Sequence, residues 1–563
     1  MKLVNKKITI MNRKTIRILM LLLVAMGLGI GEVKGTTDKN VKYMDWDDTQ
    51  KKLVERTTPD DVDVTVLEGS TSTEVVMLGG WYVVNGTVNY NGHFRLNSET
   101  HLILSDGAQL TCPKIGGDYE SLFVYGQGGH AEGSTNVAEG ILNVTTRGIE
   151  AQNITINGGQ VNTNATELNS DPYNGIYANL NITINGGKVT ATSEYNDCIF
   201  ATSDVTINGG QVTATAGANG GFGIYASVKV TINDGQVTAT ATNTTGPSWY
   251  YGICSNNVII NGGQVTASGP DDGIHGGDIT LGWTNPTDYI LCSSYNNASM
   301  ETVSGKIFAV YNDDDVFMYV IGSASGKTSF SDISSLGNRI YPFEGKLVPV
   351  GSDKYYAYNL SSGSDSYKPL NPGVSVYLVT GIAYNQSTRQ YEAVLSEAQP
   401  GVVSNVPVIF GADKLPNSIA LKKEDATVSL SATPSKNFIA CDGTKKVSEL
   451  LPSGVNFADV YFFGLSGNSF KRVLLGSDDV HPAGTCFLFI SKDDFNNPPS
   501  SAPAGVRGIG IETDGTTSLI GNGQLTTDHA ASAQWYSLDG RRLNKAPKAK
   551  GVYIRNGKKL VIK

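Results

Sequence analysis

Five segments between residues 154 and 265 share one eight-residue core. They are Ile154-Thr-Ile-Asn-Gly-Gly-Gln-Val161, Ile182-Thr-Ile-Asn-Gly-Gly-Lys-Val189, Val205-Thr-Ile-Asn-Gly-Gly-Gln-Val212, Val230-Thr-Ile-Asn-Asp-Gly-Gln-Val237 and Val258-Ile-Ile-Asn-Gly-Gly-Gln-Val265. Their asparagines, Asn157, Asn185, Asn208, Asn233 and Asn261, lie 28, 23, 25 and 28 residues apart. Each unit continues as Thr-Ala-Thr or a near variant and crosses a variable loop. It returns as Gly-Ile-aromatic-Ala, as in Gly175-Ile-Tyr-Ala178 and Gly223-Ile-Tyr-Ala226. A unit this short holds three brief strands and cannot bury its own apolar face, so neighbours must stack, rung on rung at ~4.8 Å. A leucine-rich horseshoe needs leucine at fixed positions and a propeller a period of ~40 residues, and neither fits. The spacing predicts an all-β chain built on a right-handed parallel β-helix.

Strand parity assigns the faces. In Ile-Thr-Ile both isoleucines point inward and the threonine outward; in Val-Thr-Ala-Thr, valine and alanine turn in. Each rung then contributes about five inward aliphatic residues, worth ~1.5–3 kcal/mol each when fully buried. Asparagine ahead of Gly-Gly suits a corner that needs positive φ, and aligned amides can hydrogen-bond along the stack as a ladder. The 65 glycines of 563 residues therefore mark ordered corners more than flexibility.

The flanks divide the chain further. Residues 1–35 place six cations ahead of the apolar run Ile18–Ile30, the order of a secretory signal peptide, and the run is too short to span a bilayer. Residues 36–60 read as a linker and 61–285 as the β-helix with an N-terminal cap. Residues 286–370 read as a β-rich connection and 371–515 as a β-sandwich-like domain. A polar linker over 516–532 precedes a small β module over 533–563. Residues 1–35 carry a net charge of +6 and residues 541–563 nine cations without an acid, so the body between them stands at −24 against −9 for the whole chain. That acidity speaks against a nucleic-acid partner. No transmembrane helix is expected once the signal is removed.

Two resemblances follow from these motifs. The terminal pattern Tyr536-x-Leu-x-Gly-Arg-x-Leu543, Lys550-Gly-x-Tyr-Ile554 and Gly557-Lys-Lys-x-Val-x-Lys563 resembles the C-terminal sorting domain of the type IX secretion system. That likeness implies contact with the secretion machinery and delivery to the outer-membrane surface or the extracellular space. The Gly-Ile returns and Ile-Thr-Ile-Asn-Gly-Gly repeats of residues 61–285 resemble the non-catalytic, carbohydrate-binding β-helix family with the pectate-lyase-like fold. That likeness implies an extracellular polysaccharide as partner.

The candidate ligand-binding residues come from the same parity. Glu150, Tyr177, Phe200, Tyr225, Cys254 and His275 follow the returning isoleucines or their equivalents and should point outward in register. The adjoining loops add Tyr173, Tyr195, Phe222, Trp249, Tyr250 and Tyr251, and Asp271 and Asp272 supply carboxylates. A flat row of rings can present apolar faces to sugar C–H groups, while Asn, Thr and Asp reach hydroxyls. The structural alternative is an aromatic stack that only closes loops over the helix side. A second reading is a lyase or hydrolase using Asp197, Asp271 and Asp272, since glycosidases need carboxylates ~5–9.5 Å apart. The fuller hydrolase motifs are missing, and no catalytic residue, cofactor or metal is assigned. A structural adhesin that binds protein partners is the third reading. Asn312 to Asp315 could hold calcium but fits a solvated hairpin tip. Of six cysteines, Cys198 and Cys254 stand too many rungs apart to bridge, Cys441 and Cys486 form a candidate pair, and no disulfide is predicted.

Overall fold

The structure is a computed structural model. It describes residues 30–31, 35–69, 75–117, 119–128, 139–168, 173–243, 249–283, 285–293, 295–303, 306–312, 314–322, 328–330, 339–351, 353–360, 363–498 and 508–517. Toward the C-terminus it also describes the strand residues 535–537, 542–543, 551–555 and 558–562. The expected signal peptide, apart from residues 30, 31 and 35, lies outside the described residues, as does the expected linker from residue 518 onward. The chain divides into two compact units, Met1–Glu344 and Gly345–Lys563.

The first unit is the expected β-solenoid. Three rows of parallel strands run its length. One row carries the returns, with Ile149, Ile176, Ile199, Ile224, Ile253 and Ile274 in register. A second carries the Ile-Thr-Ile segments, with Ile154, Ile182, Val205, Val230, Val258 and Ile279 aligned. The third aligns Val161, Val189, Val212, Val237, Val265 and Ile290. The inward residues form one continuous column of buried Ile, Val, Leu and Ala, as parity requires.

The corners follow backbone chemistry. In every Asn-Gly-Gly corner the second glycine, not the asparagine, has positive φ, as in Gly187 at +82° and Gly235 at +100°; in the first corner Gly158 shares it at +110°. A Cβ at Gly235 would also stand 2.6 Å from the carbonyl oxygen of Gly210 on the preceding rung. Only glycine meets both demands. In the fourth repeat the first glycine is not required, and Asp234 occupies its place. The asparagines form the anticipated ladder. Asn261 donates to Asn233 at 2.9 Å, Asn233 to Asn208 at 2.7 Å, Asn208 to Asn185 at 2.6 Å and Asn185 to Asn157 at 2.7 Å.

Residues 36–60 differ from the expected linker. Lys42–Asp47 and Lys52–Thr57 pair as an antiparallel hairpin. Tyr43 packs its ring against Trp81 at 5.2 Å and Tyr125 at 4.8 Å, and Leu53 lies over the glycine corners at Gly158 and Gly186. Apolar burial thus holds this segment on the solenoid.

The expected connection over 286–370 also divides. Arg339–Pro342 pairs antiparallel with Tyr289–Cys292, and Thr328–Phe330 with Tyr295–Thr302, so this part closes the solenoid's last rung. These antiparallel strands cover the edge with which another rung would pair. Gly345–Pro349 and Ser366–Pro369 instead pair with Ser418–Glu424 in the second unit.

In that unit a four-stranded and a three-stranded sheet share a core built on Phe410, Leu421 and Val376. A seven-stranded sheet has apolar clusters on both faces, one with Phe463 and Phe470, the other with Phe487 and Val447. Ala440 pairs with Cys486 in this sheet, so Cys441, one residue on, faces the opposite side. The two thiols lie in different clusters, which removes the candidate pair; all six cysteines are buried, and no disulfide is formed among the described residues. The strands Trp535–Ser537, Arg542–Leu543, Gly551–Arg555 and Lys558–Ile562 form a separate four-stranded antiparallel sheet. Among the described residues no helix is long and apolar enough to cross a membrane.

Candidate functional site

The returning strands place one outward residue per rung, and the register aligns Glu150, Tyr177, Phe200, Tyr225, Cys254 and His275. Tyr177 and Phe200 stand 5.3 Å apart with planes 37° askew, and Phe200 and Tyr225 stack at 5.0 Å and 13°. The next outward residue, Cys254, is small and buried, and the loops carry the ring row past it. Phe222 packs on Tyr225 at 5.1 Å and stacks on Tyr251 at 5.8 Å; Tyr251 stacks on His275 at 4.3 Å. Six rings therefore form one unbroken ribbon, with Tyr250 edge-on to Phe222.

The ribbon is not the flat platform expected from parity. Parallel rings whose centres are 5.0 Å apart cannot lie side by side in one plane without overlapping. Phe200 and Tyr225 face one another along the solenoid axis and turn their edges outward, because a spacing of ~4.8 Å per rung brings stacked rings into contact. Ring edges carry the positive end of the aromatic quadrupole and suit oxygen lone pairs. Trp249 is 70% exposed and turns most of its surface to solvent.

The remaining candidates separate. Tyr177 donates its hydroxyl to Asn179 Oδ1 at 2.9 Å, and Tyr251, itself buried, donates to Asp271 Oδ2 at 3.2 Å. Burial pushes the Tyr251 phenol up to about 12, so it remains a donor. Asp271 is exposed and Asp272 buried. Tyr173 belongs to a charged cluster: Lys114 Nζ lies 4.9 Å and the Arg147 guanidinium 5.6 Å from its ring centre. Lys114 pairs there with Glu150 at 2.7 Å and Arg147 with Glu167. Tyr195 is half-buried in the loop ahead of Asp197.

Asp197 is the unusual carboxylate. It is buried, with Oδ1 accepting the Phe222 backbone N–H at 2.7 Å. Burial pushes its carboxyl up to about 6, against that hydrogen bond. It belongs to the rung of Ile199, three rungs before that of Ile274 beside Asp271 and Asp272. Three rungs span about 14 Å.

A second ring stack escaped the sequence reading. On the neighbouring row Trp81, His101 and Phe123 occupy successive outward positions. Their rings stack at 4.0 Å and 4.8 Å with planes 4° and 10° apart. His101 contacts Tyr125 Oη through Nδ1 at 2.9 Å and Glu99 through Nε2 at 3.1 Å. These first coils lack the Asn-Gly-Gly marker, so nothing in the sequence aligned them. At the hairpin tip considered for calcium, Asn312 Oδ1 accepts the N–H groups of Asp314 and Val316, and Asp315 pairs with Arg339. Asp313 lies outside the described residues.

A family model described as a carbohydrate-binding domain-containing protein matches residues 116–221, and a beta helix repeat model matches residues 258–278. No curated protein and no solved structure matches the chain.

Proposed function

We propose that the protein is exported and holds extracellular polysaccharide, without cleaving it, along the aromatic ribbon of the solenoid. The observation that carries this reading is the continuous ring row from Tyr177 through Phe200, Tyr225, Phe222 and Tyr251 to His275. The carbohydrate-binding family match spans the first part of that ribbon, including Tyr177 and Phe200, and supports the same partner. A glycan lying along the ribbon would meet ring edges, the hydroxyl of Tyr225 and the exposed side chain of Trp249.

Binding without cleavage is supported by the carboxylates. The three carboxylates do not share a rung, since Asp197 belongs to one three rungs before that of Asp271 and Asp272, whereas a glycosidase holds its pair within ~9.5 Å. The reading of export rests on the basic-then-apolar leader and on the C-terminal module, which would engage the secretion machinery for delivery to the outer-membrane surface or the medium. Affinity electrophoresis of the chain against a panel of soluble polysaccharides, with product analysis of each mixture, tests the function. Retardation in at least one gel, with no new reducing ends or unsaturated products, is the expected result. Unretarded migration in every gel would overturn it.

A further inference from the structure

The second unit contains a cavity of about 520 Å³. It opens where Gly345–Pro349 and Tyr355–Tyr358 meet the hairpin of Val460–Ser466 and Ser469–Val473 and the loop at 483–487. The Lys354 backbone N–H donates to Asn468 Oδ1 at 3.2 Å and ties the two sides together. The cavity thus lies where the edge of the three-stranded sheet meets the seven-stranded sheet, beside the core the two share through Tyr377, Ile409 and Phe463.

Its wall is aromatic and polar but nearly uncharged. Tyr355, Tyr356 and Tyr358 line it, together with Ser466, Asn359 and Thr485. Burial raises the phenols of Tyr356 and Tyr358, so they stay protonated. Asn359 is only 6% exposed and its Oδ1 is sealed from solvent, so this residue shapes the wall without offering an acceptor to the cavity. The charged side chains on the wall are one lysine, Lys346, and one exposed aspartate, Asp353, which leaves no net charge to attract an ion.

We infer that this cavity binds the end of a neutral glycan, one or two sugar units long. Tyrosine rings for C–H faces, hydroxyls for sugar hydroxyls, and the lack of a charged clamp together define that chemistry. The volume falls in the lower half of the ~300–1,000 Å³ range for small-molecule sites, which suits a chain end better than a run of polymer. The site uses no residue of the ribbon and stands or falls independently of it.

Saturation-transfer NMR on the full chain tests the inference, with cellobiose, maltose, lactose and diacetylchitobiose as probes and galacturonic acid as the charged control. At least one neutral disaccharide should receive saturation and the uronic acid none. In a chain that also carries Tyr177→Ala and Tyr225→Ala, Ser466→Trp, at a half-exposed hairpin position, should fill the mouth and abolish the signal. A ribbon variant carrying Tyr177→Ala and Tyr225→Ala should keep the signal. Silence from all four neutral probes, or an undiminished signal in the triple variant, would overturn the inference.

Discussion

Asn157 donates its side-chain amide to Asp45 Oδ1 at 2.7 Å, across 112 residues of sequence. Asn157 is 2% exposed and is the first member of the asparagine ladder, so the N-terminal hairpin supplies the ladder's last acceptor. Asp45→Ala would leave that amide buried without a partner, at a cost of about 1–3 kcal/mol. The loss should appear in chemical denaturation, and in hydrogen exchange as faster opening of the 42–57 hairpin. Asp45→Asn, which retains an acceptor, should recover most of it.

The fourth repeat offers an internal comparison of its two corner positions. Gly235→Ala must adopt φ near +100° and push its Cβ toward the Gly210 carbonyl, so it should destabilise by more than ~1 kcal/mol. Asp234→Gly restores the consensus of the other repeats and should change stability by less than half as much. Urea midpoints for the two variants check the contrast.

Asp197 makes stability depend on pH in an unusual direction. Its carboxyl titrates near 6 in the folded chain and near 3.9 when unfolded, so the folded state binds the extra proton between those values. Unfolding free energy should therefore fall as pH rises from about 4 to above 6, by on the order of 3 kcal/mol from this residue. Asp197→Asn keeps an acceptor for the Phe222 N–H and removes the titration. The difference between variant and parent, measured by denaturation from pH 4 to 7.5, should grow with pH in favour of the variant. A flat difference would sink the assignment.

The cysteines should be silent in the native state. Burial pushes the thiols of Cys198, Cys254 and Cys441 up to about 12, and no disulfide joins any of the six. Iodoacetamide should modify none of them at pH 8 without denaturant and all six in guanidinium, as read by intact mass. Dithiothreitol should leave the melting temperature unchanged.

At the proposed glycan site Phe200 is the central ring of the outward row, bracketed by Tyr177 and Tyr225. Phe200→Ala should break the ribbon and reduce retardation in the affinity gel at least fivefold, while Phe200→Tyr should preserve it. Trp249→Ala should weaken binding without altering stability, because that ring is exposed.

The solenoid was legible because each rung writes its own corners and inward residues in Ile-Thr-Ile-Asn-Gly-Gly. Tyr177, Phe200 and Tyr225 could be aligned from parity alone. Their continuation through Phe222, Tyr251 and His275 could not, since it depends on how the loops fold back over the rungs. The hairpin at 42–57 was hidden because Tyr43, Trp46 and Leu53 sit among Lys, Asp and Glu, and its apolar contacts are made only with distant coils. The pairing of residues 345–349 and 366–369 with 418–424 is equally non-local, and no repeat marks it.

The asparagine ladder also has a direction. Every amide donates toward the N-terminus, from Asn261 to Asn157 and on to Asp45. An inserted repeat brings one donor and one acceptor, takes the bond of its neighbour and hands on an identical one. The internal chemistry of such a stack is indifferent to the number of its members. Gene duplication could lengthen the rod, or deletion shorten it, without redesigning a single corner, and only the two closures would register the change. Length, and with it the stretch of ligand the protein can follow, is then set by its ends.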